Sequence, residues 1–316
     1  MTAPVDAIVI TGPTGAGKTA LSLEIGARLP VEIVSVDSTM VYRGLDIGSG
    51  KPTRTELASV PHHLIDILDP SESYSAGQFV ADARQLVHDI RARGRFPLLV
   101  GGTMLYLRAL SRGIAPLPRA NPQVRAAIDD RARERGWPAL HAELAAVDPV
   151  AAARIQPRDA QRIQRALEVY TLTGEALSGL QTRAARDAQT LRLRQFAWSP
   201  SDRTELHRRI EVRFAAMLDA GLLEEVGRLH ARGDLAVQLP ALRSVGYRQL
   251  WNHIDGAISF DAAVAAAVQA TRQLAKRQLT WMRAEPALEW RDSLESDASA
   301  QIIREITQTV LACVSA

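Results

Sequence analysis

The sequence predicts an α/β protein in which helices flank a parallel sheet and an all-helical segment is inserted. Three observations lead to this fold class. Apolar runs alternate with helical patterns over the first third of the chain, helical patterns alone follow, and the strand-like run LRLRQFAWSP comes after them. Such alternation is typical of parallel sheets. We therefore predict a core of residues 1–113 and 191–316 and a helical insertion at residues 114–190.

Hydrophobic periodicity places the elements of the core in chain order. We expect strands at Val5–Thr11, Val31–Val36 and Pro97–Val100, and helices at Lys18–Leu29, Ala76–Arg93 and Met104–Ser111. Further helical patterns cover residues 202–233 and 259–285. Because parallel strands present their carboxyl ends at one edge of the sheet, the loop after the first strand, residues 37–38 and residues 101–103 should be neighbours there.

The loop after the first strand carries the clearest motif of the chain. It reads GPTGAGKT from Gly12 to Thr19, between a predicted strand and a predicted helix. In this P-loop pattern, backbone amides and the helix amino terminus bind phosphate oxygens, Lys18 adds a positive charge, and the Thr19 hydroxyl can ligate Mg²⁺. The core is therefore P-loop NTPase-like and should bind a polyphosphate; a chance match in a tight turn is the alternative.

The second strand supplies a carboxylate at the same edge, since Asp37 follows VEIVSV directly. Phosphate-loop hydrolases and kinases usually hold hydrated Mg²⁺ with such a group, although Asp in DST also favours an Asx turn. The strand FPLLV, by contrast, ends in GGT and not in an acidic residue. The sequence also shows no guanine-recognition motif N-K-x-D and no obvious arginine-rich lid. These features disfavour simple nucleotide hydrolysis.

The insertion is basic. Residues Arg112–Arg194 contain 14 arginines, no lysine and 9 acidic residues, whereas the whole chain has a net charge of +3. The pattern PRDAQRIQRALEVYTLTG predicts a helix with Pro157 in its first turn and Gly174 as its carboxyl-terminal cap. At about 100° per residue, one face carries Arg158, Arg162 and Arg165, and the other carries Ile163, Ala166, Leu167 and Tyr170. Such a face favours a nucleic-acid partner, but a solvated helix surface is the alternative.

The last long helical pattern has two stripes. An apolar seam is formed by Val264, Val268, Ala275, Leu279 and Met282, and a basic flank by Gln269, Arg272, Lys276 and Arg283. A basic rim beside a phosphate site and an ordinary amphipathic helix both explain the flank. Three lysines, Lys18, Lys51 and Lys276, stand among 38 basic residues, which suggests positions where a compact ammonium is required.

Composition indicates the compartment. One cysteine, Cys313, fits a reducing environment, and neither a leader peptide nor an apolar run long enough to span a membrane is expected. We expect a cytoplasmic protein. His62 and His63 are adjacent, and no further ligand lies at metal spacing, so a structural or substrate-positioning role is favoured over a metal site. Trp251 and Trp281 lie in helical patterns and are expected in the core.

Eight strings in register over nearly the whole chain carry a resemblance: GPTGAGKT, VDSTMVYRGLDIGSGKP, PHHLIDILDP, YSAGQF, LLVGGTMLYLRAL, QRIQRALEVY, RSVGYRQLW and KRQLTWMR. With them the sequence resembles the bacterial tRNA dimethylallyltransferase family, also called tRNA isopentenyltransferases. The resemblance implies transfer of a dimethylallyl group from dimethylallyl diphosphate to the exocyclic amine of the adenosine just 3′ of a tRNA anticodon, with diphosphate as the leaving group and Mg²⁺ as cofactor. A monomer that binds the anticodon stem-loop is expected.

The resemblance also implies the roles of particular residues. Asp37 would accept the proton of the attacking amine, and Thr103 would orient the amine or the bridging oxygen. The diphosphate would be held by Gly12, Pro13, Thr14, Gly15, Ala16, Gly17, Lys18 and Thr19. Contacts with tRNA would come from Asp37, Ser38, Thr39, Met40, Thr103, Arg125, Gln161, Arg162, Ile163, Gln164, Arg165, Arg243, Ser244, Val245, Gly246, Tyr247, Arg248, Lys276, Arg277, Gln278, Leu279, Thr280, Trp281, Met282 and Arg283.

Two positions depart from the pattern of this family. Met40 stands where its members usually carry glutamine, which favours apolar packing over a polar contact, and GSGKP replaces the more common GTAKP, so that Gly50 loosens the backbone. Two other functions are compatible with the motifs. A kinase would use the insertion as a lid, and a non-catalytic RNA-binding regulator would retain the phosphate loop without turnover.

Overall fold

In the described residues, 5–187 and 190–314 of a computed structural model, six strands form one parallel sheet. The strands are β1 (Ala7–Thr11), β2 (Val31–Val36), β3 (His62–His63), β4 (Phe96–Gly101), β5 (Leu193–Ser199) and β6 (Leu288–Asp292). Their order across the sheet is β3-β2-β4-β1-β5-β6. The predicted parallel sheet is confirmed, and β1, β2 and β4 lie side by side as the position of the site requires.

Helices connect the strands. They are α1 (Lys18–Gly26), α2 (Arg54–Ser59), α3 (Ala76–Ala92), α4 (Met104–Arg112), α5 (Pro122–Arg135), α6 (Trp137–Val147), α7 (Pro149–Ala152), α8 (Ala160–Thr173), α9 (Leu177–Asp187), α10 (Arg203–Asp219), α11 (Leu222–His230), α12 (Tyr247–Ile254), α13 (Phe260–Arg283) and α14 (Ala298–Val314). Two units contain them. The first is Met1–Ser111 with Leu191–Ala316, and the second is Arg112–Thr190; the predicted insertion was 114–190.

Side-chain caps explain where several helices begin. Ser75 and Gln78 form a capping box at α3, and Thr53 and Glu56 form one at α2. Ser259 accepts a hydrogen bond from the backbone of Ala262 at the start of α13. Each cap satisfies amide groups that have no partner inside the helix. The first residues of α3 and α4, Ala76 and Met104, agree with the predicted ones.

Several predicted element bounds are wrong, and two of the errors have a visible local cause. The pattern over residues 202–233 is two helices, because Gly221 adopts φ +95° between α10 and α11. Helix α1 ends at Gly26 instead of Leu29, and β1 starts at Ala7 instead of Val5. Pro157 does not lie in the first turn of α8, since Asp159 caps that helix, but Gly174 does end it with φ 72°.

One buried cluster of the first unit joins the sheet to α1 and α14. Buried side chains from β1, β2, β4 and β5 pack against Leu21 and Ile25 of α1 and against Ile302 and Ile306 of α14. A second cluster joins α10, α11, α12 and α13 around Tyr42, Tyr247 and Trp251. In the second unit, Ile128, Leu140, Leu144 and Ile163 form a separate small core. The site is thus positioned by a rigid sheet edge and by the second cluster beside it.

Candidate active site

The phosphate loop joins β1 to α1 and depends on its glycines. Gly15 and Gly17 have φ of +84° and +89°, values that favour glycine. At Gly12 a Cβ atom would lie 2.1 Å from the carbonyl oxygen of Trp198, so a side chain is sterically excluded. The loop closes on itself through a 3.2 Å hydrogen bond from the Ala16 amide to the Pro13 carbonyl. This compact turn at the amino terminus of α1 is suited to bind an anion.

Lys18 lies inside this loop. Its Nζ atom donates hydrogen bonds of 2.9 Å to the carbonyl oxygens of Gly12 and Pro13. Burial, followed by the positive charge of Arg213, lowers the pKa of the Lys18 ammonium to about 8, while the charge of Asp37 acts in the opposite direction. The side chain of Thr19, the next residue, lines the same cavity.

The ends of β2 and β4 meet at the phosphate loop, as predicted. The Thr103 hydroxyl oxygen accepts a 3.1 Å hydrogen bond from the Ser38 amide, which ties the residues after the two strands together. A Cβ atom on Gly102 would lie 3.0 Å from the Gly12 carbonyl oxygen. The three predicted segments therefore form one edge, and Asp37 and Thr103 lie on adjacent turns of it.

Asp37 takes part in a turn and also faces the cavity. Its Oδ1 atom accepts hydrogen bonds from the amides of Thr39 at 2.8 Å and Met40 at 3.3 Å, so the Asx turn expected as the alternative is present. Both bonds use one oxygen, and in the described part of the chain Oδ2 accepts none. Asp37 lines the cavity with Lys18 and Thr19. The turn therefore fixes the carboxylate while one oxygen remains able to accept a proton.

Gln278 connects two parts of this edge. Its Oε1 atom accepts a 2.9 Å hydrogen bond from the Thr14 amide, and its Nε2 atom donates one of 2.9 Å to the Gly102 carbonyl. The side chain is 9% exposed. Gln278 is thus a largely buried bridge between the phosphate loop and the end of β4 that also lines the cavity, and its contact with tRNA stays a prediction.

A cavity of about 680 Å³ is lined by residues of the phosphate loop and by Asp37. Its opposite side comes from α10, where Arg208, Arg209 and Arg213 line it. Arg208 and Arg209 form ion pairs with Glu205, but Arg213 has no carboxylate partner in the described residues. Its Nη1 atom lies 3.5 Å from the Thr14 hydroxyl oxygen, and burial lowers the pKa of its guanidinium. No sequence pattern distinguishes Arg213 from the other arginines of α10.

Residues 45–52, the wall segment, form another side of the cavity. The buried Glu225 carboxylate accepts hydrogen bonds from the amides of Asp46, Ile47 and Gly48 at 3.1, 2.8 and 3.2 Å. Tyr247 donates its hydroxyl proton to Glu225 at 2.7 Å and accepts the Ser49 amide at 3.1 Å. Burial and the Glu225 charge raise the pKa of Tyr247. The wall segment is therefore fixed from inside the second cluster.

Several side chains predicted to contact tRNA are buried. Ile163, Tyr247 and Met282 are 0% exposed, and Gly246 is also buried. Their side chains or backbone pack inside the protein, and their contacts with tRNA stay predictions. Leu279 packs against the small cluster of Leu206, Ile210 and Ala275, and Arg108 lies 5.5 Å above the ring of Trp281. The predicted apolar seam of α13 is thus partly confirmed.

Other predicted tRNA contacts are accessible in the first unit. The exposed side chains are Arg243, Arg248, Lys276, Arg277, Thr280 and Arg283. Ser38 is exposed as well, and Thr39, Met40, Ser244 and Val245 are partly buried. The Thr39 and Ser244 hydroxyls lie 3.1 Å apart, so the turn before α12 touches the turn that holds Asp37. A basic and polar surface therefore adjoins the carboxylate.

The second unit pairs some of its predicted tRNA contacts internally. Arg125 forms two hydrogen bonds with the buried Glu168 at 2.9 and 3.0 Å, and Arg165 forms a third at 2.7 Å. Gln164 donates to Asp129 at 2.6 Å. Gln161 and Arg162 are exposed on α8. Arg125 and Arg165 thus stabilise this unit, whatever else they contact.

Four further residues that the sequence singles out, His62, His63, Met40 and Lys51, contact other groups within the protein. His63 Nε2 lies within hydrogen-bond distance of the Glu32 carboxylate, 2.7 Å away, at the edge strand, and His62 contacts the Val60 carbonyl. No cluster of three or more metal-binding side chains occurs within the residues that the structure describes. Met40 accepts a weak hydrogen bond from Ser35 at 3.7 Å, and Lys51 donates to Tyr42 and Asp46.

Among the described helices, none combines the length and apolar character needed to cross a bilayer.

Comparison with known proteins decides the family. The model of the family described as IPP transferase matches residues 40–285. The chain belongs to this family. A tRNA dimethylallyltransferase of Methylibium petroleiphilum is 56% identical over 98% of this chain and 95% of its own length. Another, from Burkholderia thailandensis, is 55% identical over 93% of this chain and 92% of its own.

Solved structures of the IPP transferase family have the same fold. The tRNA isopentenylpyrophosphate transferase of Bacillus halodurans aligns with a TM-score of 0.70 and 35% identity, over 98% of both chains. The counterpart from Staphylococcus epidermidis gives 0.68 and 35%, over 97% of this chain and 99% of its own. A eukaryotic dimethylallyltransferase, crystallised acting on tRNA, gives 0.80 and 24%, over 97% of this chain and 79% of its own. The fold is therefore the P-loop NTPase-like fold predicted.

Proposed function

We propose that this protein transfers a dimethylallyl group from dimethylallyl diphosphate to the exocyclic amine of the adenosine just 3′ of the anticodon in tRNA. Diphosphate is released. The observation that carries the proposal is that residues of the phosphate loop and Asp37 line the same cavity. The names of the IPP transferase relatives, tRNA dimethylallyltransferases with more than half of their residues identical, support the same reaction.

The phosphate loop would bind the diphosphate of the donor. Amides at the amino terminus of α1, the Lys18 ammonium and the Arg213 guanidinium surround one space, and these donors suit the negative charge of a diphosphate. That charge increases on the leaving group as the allylic carbon–oxygen bond breaks. Fixed donors on the leaving oxygens therefore stabilise the transition state more than the bound substrate.

Mg²⁺ fits the groups present. Mg²⁺ prefers oxygen ligands and is commonly held by one or two protein groups together with substrate phosphates. The Thr19 hydroxyl lines the cavity one residue after Lys18 and would ligate the ion. Bound there, Mg²⁺ would neutralise charge on the diphosphate.

Asp37 would act as the general base. An adenine amine is a poor nucleophile and becomes effective as its proton is removed. Oδ1 holds the turn, and Oδ2 would accept that proton. Thr103, whose hydroxyl contacts the Ser38 amide, would orient the amine or the bridging oxygen beside the carboxylate. The carbon–nitrogen bond then forms as the carbon–oxygen bond breaks, and Asp37 takes the amine proton.

The RNA would reach Asp37 across the neighbouring polar surface. Exposed cations at Arg243, Arg248, Lys276 and Arg283 suit phosphate contacts, and those contacts should weaken with salt. The target base must leave its stack, which costs little in a single-stranded anticodon loop. In the second unit, the exposed Gln161 and Arg162 would add contacts. The protein would act as a monomer, and the lone Cys313 supports a cytoplasmic location.

The test is a mass analysis of reacted RNA. Purified protein is incubated with Mg²⁺, dimethylallyl diphosphate and an unmodified tRNA whose anticodon loop carries consecutive adenosines. One adenosine should gain the mass of a five-carbon alkyl group. A folded protein that binds this tRNA and gives no mass gain would contradict the proposal, and transfer of phosphate from ATP without RNA would point to a kinase.

A further inference from the structure

Helix α4 starts directly beside the proposed base. Thr103, the residue before the helix, contacts the turn of Asp37 through the Ser38 amide. Two side chains of α4 are then exposed: Leu105, with 55% of its surface accessible, and Arg108 one turn later. Because a helix rises about 1.5 Å per residue, Arg108 lies about 8 Å along the chain axis from Thr103. The outer face of α4 therefore continues the site at the protein surface.

Trp281 of α13 holds Arg108 in place. The Cζ atom of Arg108 lies 5.5 Å from the centre of the Trp281 ring, within the range of a cation–π interaction. Among the residues that the structure describes, no carboxylate pairs with this guanidinium and no oxygen accepts a hydrogen bond from it. A positioned guanidinium with free N–H donors suits a phosphate group, which it can bind through two parallel hydrogen bonds.

The two helices that form this surface are basic. Helix α4 contains two arginines and no acidic residue. Helix α13 has no acidic residue after Asp261, and its four cations are Arg272, Lys276, Arg277 and Arg283. Such charge favours a polyanion. Leu105 adds an apolar contact at the end of α4 that is nearer to Asp37, and the unpaired bases of an RNA loop present faces that an apolar side chain can cover.

We propose that Leu105 and Arg108 bind the anticodon loop beside the target adenosine. Leu105 packs against the face of a neighbouring unpaired base, and Arg108 donates hydrogen bonds to an adjoining phosphate. This inference rests on the proposed function, because it extends the RNA contacts of that site to two residues that the family resemblance does not assign.

The experiment measures the binding of an unmodified tRNA at several salt concentrations, without donor or turnover. Arg108→Ala should weaken binding about 3- to 10-fold and reduce the slope of log affinity against log salt by about 1, because one phosphate contact is lost. Arg108→Lys keeps the charge and should keep the slope. Leu105→Ala removes apolar contact only, so it should weaken binding about threefold and leave the slope unchanged.

Two variants on α14 are the matched controls. Arg304→Ala and Leu311→Ala remove the same side chains from exposed positions on a helix without predicted RNA contacts. Both should bind tRNA within about twofold of wild type. If the α4 variants lose no more affinity than these controls, while the wild-type protein still alkylates the tRNA, the inference is wrong and the proposed function stands.

A hairpin with the sequence of the anticodon stem-loop locates the contacts. Both losses should persist with this hairpin, because the proposed contacts lie beside the target base. Losses seen with whole tRNA but absent with the hairpin would overturn the inference, since they would place the contacts elsewhere on the tRNA. A folded wild-type protein that binds neither RNA would contradict the inference and the proposed function together.

Discussion

The backbone amide of Thr14 donates a hydrogen bond to Oε1 of Gln278 across 2.9 Å, although 264 positions separate the two residues. The same side chain donates to the Gly102 carbonyl. Through Gln278, α13 therefore fixes the phosphate loop relative to the end of β4. The loop is held at three places: by the sheet, by α1 and by this amide.

The first prediction concerns that bridge. Gln278→Ala should lower the free energy of unfolding by about 1–3 kcal/mol, because it leaves the Thr14 amide and the Gly102 carbonyl without their partner. Diphosphate affinity should fall as well. Denaturant unfolding and calorimetry measure the two effects. Gln273→Ala, an exposed change on the same helix, is the control and should alter neither. Unchanged stability in Gln278→Ala would show that the bridge contributes nothing.

The second prediction concerns the arginine that lines the cavity. Arg213→Ala should lower kcat/KM for dimethylallyl diphosphate about 10- to 100-fold, since it removes a charged donor from the developing negative charge. Steady-state kinetics with a fixed tRNA substrate measures this. Arg228→Ala removes the same charge from α11, outside the cavity lining, and should leave kcat/KM within about twofold. A similar loss in both variants would mean that net charge is responsible.

The third prediction concerns the pH dependence of diphosphate binding. Lys18 has a pKa lowered to about 8, so rising pH deprotonates it and should weaken binding of the anion. Near pH 8 the bound anion should restore the proton, so binding should take up protons from the buffer. Calorimetry in buffers of different ionisation enthalpy measures this uptake. The Lys18→Arg variant keeps the positive charge but does not titrate near pH 8. The proton uptake measured with this variant is therefore the baseline to subtract. No difference from this baseline would contradict the low pKa.

The fourth prediction concerns the anchor of the wall segment. Tyr247→Phe removes the hydroxyl that joins Glu225 to the Ser49 amide, and we expect a loss of about 1–3 kcal/mol in unfolding free energy. Tyr170→Phe makes the same chemical change at an exposed site and should be neutral. Equal stabilities of the two variants would show that the buried hydroxyl is dispensable.

The sequence predicted the edge of the sheet that forms the site, and the physical reason is local. The glycine loop, Asp37 and Thr103 each follow a strand directly, and parallel strands bring such positions together. Arg213, Gln278 and Glu225 reach the site from helices far along the chain, so their roles depend on tertiary packing. Arginine is frequent in α10, and periodicity gave no reason to choose Arg213 among its neighbours.

Burial distinguishes among the residues to which the family resemblance assigns tRNA contacts. Ile163 and Met282 stand within strings that resemble the family, yet a helix turns one face inward, and their side chains are 0% exposed. The same geometry leaves Arg162, Lys276 and Arg283 exposed. When tRNA contacts are assigned to all residues of a helical motif, the exposed face of the helix has to be distinguished from its buried face. Gln278 supports the phosphate loop through its two hydrogen bonds, and its contact with RNA stays a prediction.

The most direct test of the catalytic account is a single-turnover measurement on Asp37→Asn. Asparagine keeps an oxygen for the turn but cannot take the amine proton at neutral pH. We predict that transfer to tRNA slows about 10²- to 10⁴-fold, the usual contribution of a general base, while inorganic diphosphate binds within about twofold of wild type. A transfer rate equal to that of wild type would contradict the assignment of Asp37 as the base, and lost diphosphate binding would mean that its carboxylate serves the donor site instead.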